Sequence, residues 1–268
     1  MCLNIVSTDE FLKGTATFFY QHIIDWSLTA FLIITCSSCA SNNVTDAGQL
    51  PQLVQPGPIE ATTLSPVDAV VLFDGSDLSA WQKHNGSNAK WHVKDGYMQV
   101  RLFTGSIISR DSFGDVQLHV EWATPQRPIG RGQHRGNSGI KLMGRYEIQI
   151  LDSYENETNP AGQAGAVYSQ HPPLVNASRP AGAWQSYDII FTRPRFGEDD
   201  ALLKPAYVTV FHNGILIHDH VEIQGPTKGT RSYDLHPDRL PIELQNHRSK
   251  GRFRNIWVRD LEQIEDSK

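Results

Sequence analysis

Short hydrophobic runs, many of them alternating with polar residues, follow one another from residue 67 to residue 261. Clusters of Gly, Pro and Asn separate them, and no stretch shows a hydrophobic stripe of helical period for more than about two turns. The runs that we predict as strands are 69–73, 97–102, 106–109, 115–122, 139–143, 146–151, 166–168, 187–192, 207–212, 215–219, 242–245 and 254–258. Many short strands with turn signals between them predict an all-β sandwich or barrel. Asn213-Gly214, between two of these runs, is the strongest hairpin signal.

Three of the predicted strands alternate so regularly that the two faces of each can be assigned. The stretches 115–122, 145–152 and 241–247 all place hydrophobic residues on one face and polar residues on the other. The polar faces carry Gln117, His119 and Glu121 in the first strand, Arg145, Glu147 and Gln149 in the second, and Glu243, Gln245 and His247 in the third. If the three strands share a sheet, these side chains form a concave polar wall, which is a surface suited to binding sugar.

Ten short motifs occur in one order through the same region. They are Leu72-Phe-Asp-Gly-Ser-Asp-Leu-Ser-Ala-Trp81, Trp91-His-Val-Lys-Asp-Gly96, Gly114-Asp-Val-Gln-Leu-His-Val-Glu-Trp122, Asn137-Ser-Gly139, Tyr146-Glu-Ile-Gln-Ile-Leu-Asp152, Gly165-Ala-Val-Tyr168, Trp184-Gln-Ser-Tyr187, Asn213-Gly214, Leu244-Gln-Asn-His247 and Phe253-Arg-Asn-Ile256. Together they resemble the 3-keto-disaccharide hydrolase domain family over essentially all of residues 68–261. The resemblance implies a concanavalin A-like jelly-roll β-sandwich in an exported bacterial protein that processes glycosides oxidised at the sugar C3. This chain departs from the family at Asn246, where Asp is frequent, and through the insert 198–204.

The chemistry that the resemblance implies starts from the C3 carbonyl, which makes the hydrogen on C2 acidic. A base can then remove that proton and expel the C1 aglycone, and water can add back. Such a site needs a base near C2, an acid at the glycosidic oxygen, and donors or a cation at the developing enolate. The acid–base candidates are Glu121, Glu147, Asp152 and His247, and the substrate-binding candidates are His119, Asn137, Gln149 and Gln245. A conventional glycosidase would use two carboxylates, which Glu121 and Glu147 could supply.

Each acid–base candidate also has a structural interpretation. Glu147 lies mid-strand in a nearly apolar run, so it either faces a polar cleft or pairs with a cation such as Arg145, because an unpaired buried carboxylate is costly. Glu121 ends its strand and is either a cleft residue or a solvated edge residue. Asp152 follows Glu147 by five residues, which places the two on opposite faces unless a β-bulge intervenes. His247 is either catalytic or a histidine of a surface turn.

The sequence leaves the cofactor requirement open, and a divalent metal is neither required nor excluded. Residues of metal-binding type surround the predicted hairpin, namely His212, His218, Asp219 and His220. Hairpin histidines are nevertheless more often exposed to solvent. The tryptophans offer faces for stacking on a sugar, but in a β-sandwich most tryptophans are core residues. We therefore expect at most one or two of them in the cleft.

Composition limits the classes of partner. The 268-residue chain has a formal net charge of −5 and no run of Lys and Arg, which argues against nucleic-acid binding. Carbohydrate is the expected substrate, and the oligomeric state is left open. The alternative function is a non-catalytic glycan-binding module, because lectins and laminin-G-like domains share this fold. Polar and ionisable residues on three strands favour the enzyme.

The N-terminal residues predict export to the periplasm or the cell surface. The apolar run 28–34 is followed by small residues that suit a signal peptidase. We predict a signal peptide over residues 1–39. Cys39 lies in a tract that resembles a bacterial lipobox, which would make it the lipidated first residue of the mature protein. A membrane-spanning anchor is the alternative, but His22 and Asp25 interrupt the apolar stretch well short of about 20 residues.

The rest of the chain divides into three predicted parts. Residues 40–66 are rich in Ser, Asn, Thr and Pro without periodicity, which predicts a flexible tether. The jelly-roll domain is predicted over 67–261 and a C-terminal tail over 262–268. All cysteines lie at or before Cys39, so residues 40–268 hold no disulfide and no thiolate nucleophile. Contact with a membrane would then be made only through the lipid anchor.

Overall fold

The computed structural model describes residues 49–58, 64–229 and 231–262, and this part of the chain consists mainly of β-strands. The strands are β1 (Val70–Phe73), β2 (Trp81–Gln82), β3 (His92–Lys94), β4 (Tyr97–Gln99), β5 (Ile107–Phe113), β6 (Val116–Ala123), β7 (Ser138–Leu142), β8 (Tyr146–Ile150), β9 (Gln185–Thr192), β10 (Arg195–Phe196), β11 (Leu202–Lys204), β12 (Ala206–His212), β13 (Ile215–Ile223), β14 (Leu240–Leu244) and β15 (Arg252–Asp260). Two single turns of 3₁₀ helix, Gly132–His134 and Pro160–Gly162, lie in the connections.

Two antiparallel sheets pack face to face. The larger sheet has the strand order β13-β12-β9-β6-β15-β4-β3, with β1 added beside β15, and the smaller sheet has the order β2-β5-β14-β7-β8. The inward hydrophobic side chains of both sheets form one core cluster. One buried face on each sheet is what period-two alternation produces in a sandwich. The fold is therefore the all-β jelly-roll sandwich that the sequence predicts.

Most of the predicted strands are confirmed, and the differences have local causes. The strands β2, β3, β10 and β11 have only two or three residues each, too few for a periodic pattern. The run 166–168 is not a strand, since only Val167 forms isolated bridges, one to Ile148 and one to His171. At the β12–β13 turn, Asn213 and Gly214 have φ of 53° and 78°. These left-handed values give the tight hairpin that the dipeptide predicts.

The three strands with assigned faces do not share one sheet, which corrects the expectation of a single polar wall. The strands β8 and β14 belong to the smaller sheet, whereas β6 lies in the middle of the larger one. Their hydrophobic residues all enter the common core. Consequently the polar face of β6 points away from the sandwich on one side, and those of β8 and β14 point away on the other.

Part of the predicted tether is ordered against the domain. Leu53 forms a parallel bridge with Asn176, the backbone nitrogen of Val54 donates to the carbonyl of Asn176 at 2.9 Å, and Arg179 donates to the carbonyl of Gly57 at 2.8 Å. These long-range contacts have no local periodicity, so the sequence could not reveal them.

The N-terminal predictions lie outside the described residues. This applies to the signal peptide 1–39 and to the lipidation of Cys39. Within the described ranges, no helix has the length and hydrophobicity needed to cross a membrane.

Candidate active site

The outer face of the smaller sheet carries rows of polar side chains that strand register places side by side. Lys141 of β7 pairs with Glu243 of β14 on one side and with Glu147 of β8 on the other. In the next outward-facing row, Gly139 pairs with Gln149. The backbone nitrogen of Gln245 donates to the carbonyl of Gly139 at 2.9 Å, which extends this row across β14. The face thus presents charged groups in one row and amides in the next.

Glu147 is the most unusual group on this face, because it is buried without a direct partner. Only 5% of the residue is exposed, and among the described residues no hydrogen bond or ion pair reaches its carboxylate. Burial raises its pKa to about 7, although the positive charges of Lys141 and Lys228 oppose the shift. A carboxyl with a pKa near neutrality can both accept and donate a proton under physiological conditions.

The position of Glu147 depends on the missing side chain of Gly139. A Cβ atom at Gly139 would stand 2.5 Å from Oε1 of Glu147, a separation that two non-bonded heavy atoms do not adopt. The glutamate side chain therefore lies across the space above Gly139, towards the row of amides.

A buried ion pair lies beside Glu147. Lys141 Nζ donates to Glu243 Oε1 at 2.9 Å, and both side chains are less than a tenth exposed. His84, from the loop after β2, stands 3.3 Å from the other oxygen of Glu243. The row therefore brings a cation, a paired carboxylate and an unpaired carboxylate together.

The amides hold one another in place and leave acceptor atoms unused. Gln149 Nε2 donates to Gln133 Oε1 at 3.0 Å, and Asn137 Nδ2 donates to the Gln133 carbonyl at 2.8 Å. The Oε1 atoms of Gln149 and Gln245 are buried and have no partner among the described residues. A buried acceptor without a partner is costly. Two of them flanking Gly139 form a place where sugar hydroxyls could donate.

A cavity of about 630 Å³ opens at the end of this face, where β14 and β8 end and β7 begins. Asn137, Asp152 and His247 all line it. The alternation argument does not decide the position of Asp152, because β8 ends at Ile150 and residue 152 lies beyond the regular strand. Asp152 Oδ2 accepts from Arg135 at 2.7 Å, while Oδ1 is buried without a partner. Burial raises the pKa of Asp152 against the effect of Arg135.

The structure separates Glu121 and His119 from this site. Both lie on the outer face of the larger sheet, where Glu121 accepts from Arg254 at 2.6 Å and from Asn255 at 2.9 Å. Burial would raise the pKa of Glu121, but the nearby His119 ring and the hydrogen bonds from Asn255 and Arg254 outweigh it and hold the pKa at about 2. The pairing of Glu121 with Glu147 as two carboxylates of one glycosidase site is therefore wrong.

His119 belongs to the same ion network as Glu121. Its Nδ1 atom lies 2.6 Å from Asp188, and its ring stacks on Trp257. Burial would lower the pKa of His119, yet the hydrogen bond to Asp188 and the nearby carboxylate of Glu121 raise it to about 9. An imidazolium fixed in this way stabilises the larger sheet and is remote from the amide row, so His119 is not placed to bind substrate there.

The hairpin histidines do not form a cluster. His212 Nε2 lies 2.9 Å from Gln185 Oε1, and His218 Nε2 lies 2.8 Å from the carbonyl of Gly165, both within the core. His220 instead stacks on Tyr207 at the surface. In the part of the chain that the structure describes, no group of three or more His, Cys, Asp or Glu side chains is arranged to hold a metal ion.

The tryptophans follow the expectation for a sandwich. Trp81, Trp91, Trp122 and Trp257 are buried. Trp184 is half-buried and packs against Arg252 and Arg254 at 5.2 and 4.2 Å, on the outer face of the larger sheet. None of the five therefore lines the cavity beside the amides.

Sequence reasoning missed several residues of the polar face. Lys141 lies in a run that is otherwise apolar. A lysine at this position indicates that the outer face of the strand is not packed against apolar side chains. Gly139 is a glycine inside a strand, and such a glycine often marks a place where a ligand or another chain segment comes close to the backbone. Glu243 was assigned to the polar face but not to the acid–base set. Gln133 lies in a loop, so no strand period could place it.

The chain is similar to a known protein family and to solved structures. Residues 68–259 match the family described as the 3-keto-alpha-glucoside-1,2-lyase-like domain. A crystal structure of a candidate glycosyl hydrolase from Parabacteroides distasonis ATCC 8503 is 43% identical, with 79% of this chain and 92% of that chain covered and a TM-score of 0.72. A second candidate glycosyl hydrolase from the same organism is 19% identical, with 74% and 98% covered and a TM-score of 0.55, and shows the shared fold alone.

A comparison with the curated proteins gives no match. The family match extends over nearly the whole sandwich, from the residues before β1 into β15. It agrees with the resemblance that the ordered motifs carry. The chain belongs to the 3-keto-alpha-glucoside-1,2-lyase-like domain family.

Proposed function

We propose that the protein is a carbohydrate-active enzyme that cleaves the glycosidic bond of 3-keto-glycosides on the outer face of the smaller sheet. The observation that carries this proposal is Glu147, a buried carboxyl without a partner whose pKa is raised to about 7. The family match and the 43% identical candidate glycosyl hydrolase support a glycoside as the substrate. A proton acceptor of this strength suits an acidic C–H bond beside a carbonyl.

In this proposal the sugar ring lies above Gly139 with its hydroxyls near the amides, and Glu147 removes the proton from C2. The electron pair of the C2–H bond forms the C1=C2 double bond as the bond from C1 to the aglycone oxygen breaks. Lys141 provides positive charge close to the enolate that develops at the C3 oxygen. Asp152 and His247, which line the adjoining cavity, are the two candidates for protonating the departing oxygen.

Hydration completes the reaction. Water adds to the double bond: its hydroxyl goes to C1, its remaining proton goes to the group, Asp152 or His247, that protonated the aglycone oxygen, and protonated Glu147 returns a proton to C2. Glu147 is thereby restored to its starting state, and the sum of the two steps is hydrolysis. If the unsaturated sugar leaves before water adds, the same residues perform a lyase reaction.

The proposal is tested by incubating the purified protein with a 3-keto-disaccharide and with its unoxidised parent, each with and without a chelator. We expect cleavage of the 3-keto form alone, because the parent has no carbonyl to acidify C2. In D₂O the released 3-keto-sugar should carry deuterium at C2, because protonated Glu147 exchanges its proton with solvent before it returns one to C2. The free 3-keto-sugar incubated without protein corrects for spontaneous exchange.

Three outcomes would redirect the assignment. Equal cleavage of both sugars would point to an ordinary glycosidase. Cleavage without deuterium at C2 would replace elimination by direct hydrolysis. Binding of both sugars without cleavage would favour the glycan-binding module.

A further inference from the structure

We propose that the 630 Å³ cavity is the aglycone subsite and that it takes an apolar aglycone that carries a negative charge. This inference rests on the proposed function, because it assumes that the sugar ring lies above Gly139. Asn137 stands at the boundary, since it belongs to the polar face and also lines the cavity.

The position of the cavity fits the bond to be broken. The carboxylate of Glu147 stands over Gly139, and Asn137, which lines the cavity, precedes Gly139 by two residues, or about 7 Å at the rise of a β-strand. A sugar whose C2 faces Glu147 and whose C1 substituent points along the amide row would therefore place its aglycone in the cavity. Asp152 Oδ1, which is buried and has no hydrogen-bond partner among the described residues, would accept from a substrate hydroxyl at this junction.

The walls of the cavity are apolar at its mouth. Leu102, Pro125, Pro128 and Ile129 line it, and Ile129 is 82% exposed. Phe103, which follows Leu102, is 95% exposed and has a φ of 65°, a strained value for a bulky side chain. Covering large, solvent-exposed apolar side chains with another apolar group lowers the free energy. No Trp, Tyr or Phe is among the described residues that line the cavity, so a second sugar would find no aromatic platform there.

The charge around the cavity has one sign. Arg127, Arg248 and Lys250 line it, and none of the three forms an ion pair with a described residue. Asp152 is the one lining carboxylate within the described chain, and Arg135 already pairs with it. Three uncompensated cations beside apolar walls match an aromatic or aliphatic group that bears a carboxylate or a similar anion.

The test compares two 3-keto-glucosides that differ in one group, with para-carboxyphenyl and para-carbamoylphenyl as the aglycones. The two aglycones are similar in size, but only the first is charged. We expect kcat/KM for the carboxylate to be about tenfold higher at low salt, mainly through KM, and the advantage to fall as salt screens the cations. The double variant Arg248→Gln, Lys250→Gln should abolish the preference by lowering kcat/KM for the carboxylate substrate about tenfold, to the value for the carbamoyl substrate. Both residues are exposed, so the variant should keep its melting temperature.

A binding measurement keeps this inference separate from the proposed function. By calorimetry, para-hydroxybenzoate should bind the protein more tightly than para-hydroxybenzamide, and the double variant should lose the difference. If neither glucoside is cleaved but this difference is found, the proposed function fails and the subsite stands. Equal binding of the two phenols, or equal kcat/KM for the two glucosides, would overturn the subsite. So would a clear preference for a 3-keto-disaccharide over both aryl glucosides.

Discussion

Two glutamates on opposite faces of the sandwich show how surroundings decide what a carboxylate can do. Glu147 is desolvated without a direct partner, and its pKa of about 7 keeps its proton exchangeable at neutral pH. Glu121 is also largely buried, yet Arg254, Asn255 and His119 surround it and its pKa of about 2 keeps it ionised. The same side chain therefore serves proton transfer in one setting and charge pairing in the other.

Replacing Glu147 should separate activity from stability. We expect Glu147→Gln to lower kcat by about 10²- to 10⁴-fold, because the group that exchanges the proton is lost. Because the pKa of Glu147 is raised in the folded state, its contribution to the free energy of unfolding is fully present below about pH 4.5. This contribution declines as the pH rises towards 7, since the unfolded state releases the proton first. The variant lacks this loss, so at pH 8 it should be more stable than wild type by about 3 kcal/mol and at pH 4 nearly equal. Turnover of a 3-keto substrate and thermal melting at both pH values measure this.

The matched control is Glu121→Gln, whose effects should be the reverse. Removing this carboxylate leaves Arg254 without its partner, while His119 keeps Asp188. The free energy of unfolding should therefore fall by about 2 kcal/mol at pH 7, allowing for the partial exposure of Arg254. The stability that Glu121 provides is present above about pH 4.5 and is lost as pH falls towards 2. The folded variant should keep its turnover. An active Glu147→Gln protein, or an inactive but stable Glu121→Gln protein, would contradict this division of roles.

The predictable part of the site is the part that strand period controls. Alternation placed Glu147, Gln149 and Gln245 on a polar face, and the structure confirms that placement. It could not show that Glu121 belongs to the other sheet, because sheet membership depends on pairing between distant segments. It also failed for Asp152, which lies beyond the last regular residue of β8.

At the scale of the element, β7 positions the proton acceptor of its neighbour. The strand alternates inward Ile140 and Leu142 with outward Lys141 and Gly139, so each outward position of β7 affects Glu147 differently. Lys141 contributes positive charge, and Gly139 contributes space. A strand of five residues thereby sets both the charge and the direction of a side chain on the next strand.

Filling that space should impair catalysis without unfolding the protein. In Gly139→Ala the new Cβ would stand 2.5 Å from Glu147 Oε1, so the carboxylate must move by about an ångström. Such a displacement costs on the order of 10²-fold in rate. The contact is with the end of a flexible side chain, so the change in the free energy of unfolding should stay below about 1 kcal/mol. Steady-state kinetics and thermal melting of the variant measure the two effects.

A double variant tests whether Gly139 acts through Glu147. In the Glu147→Gln background, Gly139→Ala should cause little further loss, because the group that it displaces no longer transfers a proton. Independent, multiplying losses would show that the glycine matters for another reason, such as direct approach of the sugar to the backbone.

At the scale of the whole molecule, the fold class followed from many short alternating runs, since burying one face of each strand requires a two-layer structure. Contacts between remote segments were beyond that reasoning. Residues 51–57 carry no periodic pattern, yet they dock on Asn176 and Arg179 through backbone groups. Such pairing depends on a surface that exists only after the sandwich has formed.

We further propose that the protein is exported and held at a membrane through a lipid on Cys39. Cys39→Ser should then move the protein from the membrane fraction to the soluble fraction, whereas Cys36→Ser should leave it on the membrane. Cell fractionation with an antibody to the sandwich domain measures the distribution. A Cys39→Ser protein that stays with the membrane would contradict lipidation at this residue.

The position of the last strands governs when the chain can fold during synthesis. β15 lies between β6 and β4 in the larger sheet and also pairs with β1, and β14 lies between β5 and β7 in the smaller one. Until both strands have left the ribosome, β6, β4 and β1 of one sheet and β5 and β7 of the other each lack a neighbouring strand and have an open edge. Both sheets therefore become complete only after synthesis of residue 260. Because the sandwich cannot be completed earlier, a chain with this topology suits a translocation channel that admits only unfolded chains.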